Sequence, residues 1–223
     1  MPSQILMLRH GITEGNKNHW FYGELDLPLL PEGKEQLREQ KARGIYPEIP
    51  DNAQYVTTGL TRTRETMEEL FGPQDHHEIT NLQEMKFGEL EAKTFDELKD
   101  NPDFTNWTYD ESGDVSFPGG ESRNEFANRI KTGAVELLEK QREREKEVGP
   151  DNAFTVLICH GGVIAAMMHE LFPGERGEMW DWTPEPGHGY LVEVGPEGPV
   201  SYIVVGGITG MRDLVEEEYL KNE

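Results

Sequence analysis

The chain has 223 residues, 43 of them acidic and 21 basic, for a formal charge of −22. Hydrophobic residues make up 35% and charged residues 29%, a soluble globular profile long enough to bury a sizeable core. Such a charge repels nucleic acid and anionic membrane surfaces, and no apolar run approaches the roughly 20 residues that span a bilayer.

Residues 4–8 (QILML) read as a buried strand. A helix is expected from Pro31 or Glu32 to Ala42, since Pro and Glu suit a first turn and Gly44 suits a stop. Residues 54–57 (QYVT) read as a short strand, followed by a helix from about Thr61 to Leu70 that Gly72 and Pro73 close. The stretch 73–122 is broken by Pro102, Gly113, Pro118, Gly119 and Gly120. It is too long for a structureless loop, so short helices and a binding face are expected within it. A long helix should run from about Glu121 to Lys146. Its mixed-sign run EKQREREKEVG (139–149) reads as a solvated face with Glu/Arg pairs. Residues 153–159 (AFTVLIC) are the strongest strand signal, and 163–171 (VIAAMMHEL) an apolar helix ended by Pro173. Residues 189–194 and 200–205 form a hairpin. LVEEEYLKNE at the end reads as a terminal helix or a frayed tail.

Strands alternating with helices predict an α/β protein: a three-layer α/β/α sandwich around a mainly parallel central sheet. No repeat or linker divides it, so a single domain over 1–223 is expected, with an irregular, lid-like segment at about 87–118. Pro2 and Ser3 lead into the first apolar run with no basic segment, so no secretory leader is expected and the expected compartment is the cytoplasm. The lone Cys159 has no partner for an internal disulfide, which is consistent with that.

Two strands end alike. QILML runs into Arg9-His10-Gly11 and AFTVLIC into His160-Gly161-Gly162. In open α/β sheets, ligands sit beyond the carboxyl ends of strands, so neighbouring strands would aim both histidines at one place. The glycines leave room for close approach and sharp turns, and a helix beginning near Gly162 would offer N–H groups suited to an anion. A lone histidine after a strand is ordinarily a polar loop residue; the matched pair is what carries the signal.

LRHGITEGN (8–16) resembles the signature of the histidine phosphatase superfamily, in its phosphoglycerate-mutase-like branch. YGELDLPLLPEG (22–33), TTGLTRTRETMEEL (57–70), LQEMKFGELEA (82–92), PGGES (118–122) and CHGGVIAAM (159–167) resemble further segments in the family order. Arg-His-Gly alone is weak; the ordered set is specific over about residues 4–172. There are two departures. Leu90-Glu91-Ala92 stands where the family usually reads Trp-Glu-Gly, and Thr58 where it usually has Ser. Both are expected to alter substrate fit more than chemistry.

The resemblance implies that His10 attacks phosphorus and becomes a phosphohistidine that water then hydrolyses. A neutral imidazole suits attack on a dianion, because it brings no charge to repel. The resemblance places Arg9 and Arg62 at the phosphate, where guanidinium forks fit its oxygens. It adds His160 as a charged donor and Asn16 as a neutral one, with Thr13, Gly23 and Gly161 also at the phosphate or substrate. Glu84 is implied as the general acid that protonates the leaving alkoxide and afterwards activates water. Arg64 lies two residues from Arg62, about 200° around a helix, so only one of the two can face the phosphate. His188 in PGHGY reads as a turn residue.

Other chemistries fit less well. Cys159 lacks an arginine six residues on, where Ala165 stands, so a buried inert thiol is expected. His76-His77-Glu78 lacks the second histidine of a zinc helix, with Asn81 in its place. No cofactor and no metal are expected, and no nucleic acid or membrane partner. The expected partner is a small phosphorylated metabolite, with a homodimer left open. The favoured function is a metal-independent phosphomonoesterase. A cofactor-dependent phosphoglycerate mutase is the alternative, although residues 87–117 carry only Lys93 and Lys99 as basic groups. A non-catalytic phosphate binder is the third class. Acidic groups with Trp107, Tyr109 and Phe117 suggest a lid over the leaving group.

Overall fold

The computed structural model describes residues 2–207, so the terminal LVEEEYLKNE segment lies outside the described residues. In chain order the elements are β1 (Ser3–Arg9), α1 (Glu14–Lys17), β2 (Trp20–Phe21), α2 (Pro31–Ala42), β3 (Gln54–Thr57), α3 (Thr61–Phe71) and β4 (His76–Glu78). They continue with β5 (Lys93–Thr94), α4 (Phe95–Leu98), α5 (Pro102–Tyr109), α6 (Arg123–Val148), β6 (Phe154–Cys159), α7 (Gly161–Leu171), β7 (Gly189–Gly195) and β8 (Gly198–Val205).

The main sheet has the order β4-β3-β6-β1-β7-β8. β4, β3, β6 and β1 run parallel, and β7 and β8 add an antiparallel edge. β1 explains why its sequence is apolar without alternation. Ile5 and Met7 face one core with α6 and α7, while Leu6 and Leu8 face a second core with α2 and α3. A strand covered on both faces needs apolar residues at every position. The result is the expected α/β/α sandwich.

The register of the central pair positions the site. Arg9 lies opposite Cys159, so His10 and His160 leave the sheet side by side. The His10 N–H donates to the Cys159 carbonyl at 3.0 Å and extends the pairing one residue beyond the strands. The mean of the elements matches the sequence reading, but the small pieces do not appear in it. β2 and β5 pair as a two-residue ribbon, and β4 adds a short edge strand.

The aromatic rings of the 87–118 segment differ in exposure. Phe104 and Phe117 are buried in the core, and Trp107 stacks on Phe117 at 4.7 Å. These rings fasten the segment down, and Tyr109, 80% exposed, is the one that faces solvent. Away from the site, an apolar cavity of about 110 Å³ lies between α6, α7 and the sheet, walled by residues such as Met7, Ile130, Ala134 and Val192. No helix among the described residues is long and apolar enough to cross a membrane.

Candidate active site

His10 is 3% exposed. Its Nδ1 lies 2.8 Å from the Gly11 carbonyl, which can only accept, so Nδ1 carries the proton and Nε2 keeps its lone pair. Burial holds its pKa well below the ordinary histidine range, and the positive charges of Arg62 and Arg9 push the same way. The ring is therefore neutral, with one nucleophilic nitrogen defined by a backbone bond.

His160 sits edge-on to His10, with ring centroids 5.3 Å apart. Arg62 Nε donates to its Nδ1 at 3.4 Å. A guanidinium has no acceptor, so the His160 proton must lie on Nε2, which donates to Thr58 Oγ1 at 2.9 Å. Thr58 passes its own proton toward Thr63 Oγ1 at 3.4 Å, and Thr63 donates to the Leu60 carbonyl at 2.7 Å. Without a bound dianion, burial first, then Arg62, His10 and Arg9, hold the His160 pKa well below the usual value.

Arg62 is fully buried at the start of α3. Its Nη1 and Nη2 donate to the Leu25 and Gly23 carbonyls at 2.9 and 2.8 Å, and its guanidinium lies 5.1 Å from the centre of the Tyr22 ring. Arg62 thus anchors the 23–25 loop as well as the imidazole. Arg64 is exposed, which settles the choice between the two arginines. Arg9 Nη1 donates to the Pro184 carbonyl at 2.9 Å, and its backbone is tied to Gly187 and His188. Burial lowers the pKa of both arginines, against the pull of Tyr22 and Glu84.

Glu84 reaches this cluster from the other side. Its Oε2 accepts from Gly162 N–H at 3.0 Å, in the first turn of α7, and its Oε1 from Met85 N–H at 3.0 Å. A Cβ at position 162 would stand 2.5 Å from Glu84 Oε1, so a side chain there would displace the carboxylate from this position. The loop that carries Glu84 is held by Arg129 of α6. That guanidinium donates to the carbonyls of Asn81, Gln83 and Glu84 and pairs with Glu121 at 2.6 and 2.7 Å.

The remaining predicted residues are placed around this centre. Asn16 Oδ1 accepts from the Thr13 N–H and hydroxyl and from Tyr22 Oη at 3.0 Å each, while Thr13 caps α1. Their side-chain oxygens hold the turn after Gly11. Gly23 gives its N–H to Glu91 at 2.8 Å and its carbonyl to Arg62. Gly161 lies where a Cβ would meet the Arg9 guanidinium at 3.2 Å. His188 is a joint between loops, its Nδ1 accepting from Gly207 N–H.

At the two sequence departures, Thr58 is fully buried and bonded to His160, and Leu90 is buried beside Glu91, a residue the family shares, which accepts from the Gly23, Glu24, Leu25 and Phe87 N–H groups. Ala92, which stands where the family usually has Gly, holds φ +59°, a conformation glycine adopts at less cost. Burial pushes the Cys159 thiol far up, so it stays a thiol. Sequence reasoning missed Tyr22, Arg129 and Glu121. Tyr22 and Glu121 lie within the resembling segments 22–33 and 118–122 and Arg129 outside them, but each acts by holding another loop, which the sequence does not show.

Comparison with known proteins agrees with this geometry. A 2,3-bisphosphoglycerate-dependent phosphoglycerate mutase of Parvibaculum lavamentivorans is 32% identical over 146 residues, 58% of this chain and 64% of that protein. A phosphoglycerate mutase structure from Thermus thermophilus superposes with TM-score 0.62 at 27% identity, covering 92% of this chain and 99% of that one. An alpha-ribazole phosphatase structure from Shigella flexneri shares the fold, with TM-score 0.74 at 19% identity over 92% of this chain and 99% of that one. The family model of the histidine phosphatase superfamily (branch 1) matches residues 5–203, and the chain belongs to that superfamily.

Proposed function

We propose that this protein is a phosphomonoesterase that hydrolyses a small phosphorylated metabolite through a phosphohistidine on His10. The observation that carries the reading is the bond from His10 Nδ1–H to the Gly11 carbonyl, which leaves Nε2 as an uncharged nucleophile between two arginines. Nε2 attacks phosphorus as the ester P–O bond breaks, and Glu84 gives its proton to the leaving oxygen. Glu84 then takes a proton from water, whose oxygen attacks phosphorus. The P–N bond breaks and phosphate departs. Arg9 and Arg62 match the charge on the three equatorial oxygens, so the reading needs no metal.

A mutase is the second reading, favoured by the names of several relatives. It must also hold the substrate's carboxylate and retain the transferred group. Residues 87–117 supply only Lys93 and Lys99 for that, and Lys99 pairs with Asp96 at 3.0 Å. This favours hydrolysis.

The test is phosphate release from p-nitrophenyl phosphate and a panel of phosphomonoesters after EDTA treatment, beside His10→Ala. Release that survives EDTA and disappears in the variant is expected. Interconversion of phosphoglycerates that depends on 2,3-bisphosphoglycerate, without release, would establish a mutase instead. A protein that binds phosphate but does neither would be a binder.

A further inference from the structure

Glu84 stands on a stretch with no regular structure. Residues 84–87 belong to no helix or strand, so no ladder of backbone bonds fixes where the carboxylate points. One guanidinium from α6 takes that place. Arg129 Nη1 donates to the Asn81 and Gln83 carbonyls at 2.9 and 2.8 Å, and Nη2 to the Glu84 carbonyl at 3.1 Å. Nε and Nη2 donate to Glu121 Oε1 and Oε2 at 2.6 and 2.7 Å. All five N–H groups of the side chain are thereby used.

Glu121 holds the other end of the same loop. Its Oε2 accepts from the Lys86 N–H at 3.1 Å, and its own N–H donates to the Lys86 carbonyl at 2.9 Å. The pair therefore brackets residues 81–86, with Glu84 between its two grips. Both side chains are shielded, 16% and 11% exposed. The Arg129 guanidinium also lies 5.3 Å from the centre of the Phe126 ring on α6.

A general acid must lie within hydrogen-bond reach of the oxygen it protonates, and a displacement of about 1 Å costs on the order of 10²-fold. Arg129 bonds to the backbone around Glu84 and to Glu121, not to the Glu84 carboxylate. We propose that Arg129, locked by Glu121, is the positioning residue for Glu84, and so sets how well poor leaving groups are expelled. The proposal rests on the general-acid role of Glu84 in the reading above. Lysine is no substitute here, because an ammonium has three donors and no planar fork. Lysine does keep the positive charge that bears on His160, so Arg129→Lys separates position from charge.

The test compares kcat/KM of the intact protein for phenyl phosphate and p-nitrophenyl phosphate, whose leaving oxygens need a proton to different degrees. Arg129→Lys should slow phenyl phosphate about tenfold and p-nitrophenyl phosphate less than about threefold. In a Glu84→Gln background the same substitution should change phenyl phosphate by less than about twofold, because the proton it positions is already gone. Glu121→Gln carries the same comparison should Arg129→Lys not fold. Equal slowing of both esters by a folded Arg129→Lys, an undiminished further loss in the Glu84→Gln background, or a lower melting temperature with unchanged rates each overturns the proposal. The acid role then stands, as long as Glu84→Gln alone still separates the two esters. A wild type that hydrolyses neither ester, or a Glu84→Gln variant that slows both equally, overturns the acid reading and this proposal together.

Discussion

The ends of β1 and β6 look alike in sequence and differ in chemistry. Each delivers a histidine followed by glycine, side by side on paired strands. His10 has one nitrogen bonded to its own neighbour and the other left with a lone pair. His160 has both nitrogens engaged, by Arg62 and by Thr58. Both are buried and held neutral. The difference teaches that the role of a histidine is set by the partners of its two nitrogens, and these come from elsewhere in the chain. On the proposed function, His10 is the one with a nitrogen free to attack, while His160 is bonded to Arg62 and Thr58.

That contrast can be broken experimentally, starting with the largest effect. His10→Ala should lower turnover by roughly 10⁴-fold or more, the scale seen when a covalent nucleophile is removed. His160→Gln should lower it by about 10²-fold while His10 still becomes phosphorylated in rapid-mixing experiments. Equal losses, with no labelling in either variant, would erase the distinction.

Glu84→Gln comes next. A leaving alkoxide needs a proton far more than an aryl oxide does, so alkyl phosphates should slow by about 10²-fold and p-nitrophenyl phosphate much less. Equal slowing of both would remove Glu84 from the acid role.

The shared burial of the two rings makes a statement about pH. Both histidines have native pKa values well below the unfolded value of about 6.5. As pH falls below about 6.5, the unfolded chain takes up protons that the native site refuses, so stability is complete above that value and declines below it. Denaturation midpoints measured from pH 8 down to 5 should fall in the wild type and fall less in His160→Gln. A flat profile would mean that the rings are not held neutral.

Smaller effects separate support from chemistry. Thr58→Ser keeps the hydroxyl and should change little. Thr58→Val leaves the buried His160 N–H without an acceptor and should cost about 1–3 kcal/mol in chemical denaturation. At the far side of the molecule, Ala134→Leu extends into the apolar cavity and should gain at most about 1 kcal/mol without altering turnover.

These differences also mark what the sequence could reveal. The long strands and helices were legible because each buries a face, and periodicity records burial. Helix geometry allowed only one of Arg62 and Arg64 to face the phosphate, and the family resemblance pointed to Arg62. The short elements were not legible. β4 is His76-His77-Glu78, with no apolar alternation, and exists because β3 offers it a parallel edge. β2 and β5 are two residues each, and α1 is one turn, closed by Thr13 and Asn16. Such pieces are fixed by tertiary partners rather than by local propensity. The same holds in the site. The residues proposed to react stood in motifs, whereas what Arg129, Tyr22 and Glu121 do rests on contacts with distant loops, even where, as for Tyr22 and Glu121, a motif contains them. The burial and arginine proximity that hold the unliganded His160 neutral are three-dimensional facts, out of reach of the sequence.

The most direct test is to trap the phosphorylated protein by rapid mixing with substrate, quench under alkaline conditions, and locate the phosphoryl group by mass spectrometry and phosphorus NMR. The account predicts one phosphoryl group, on Nε2 of His10, with none on His160. A group on His10 Nδ1, on His160, or on no histidine while turnover proceeds would contradict it.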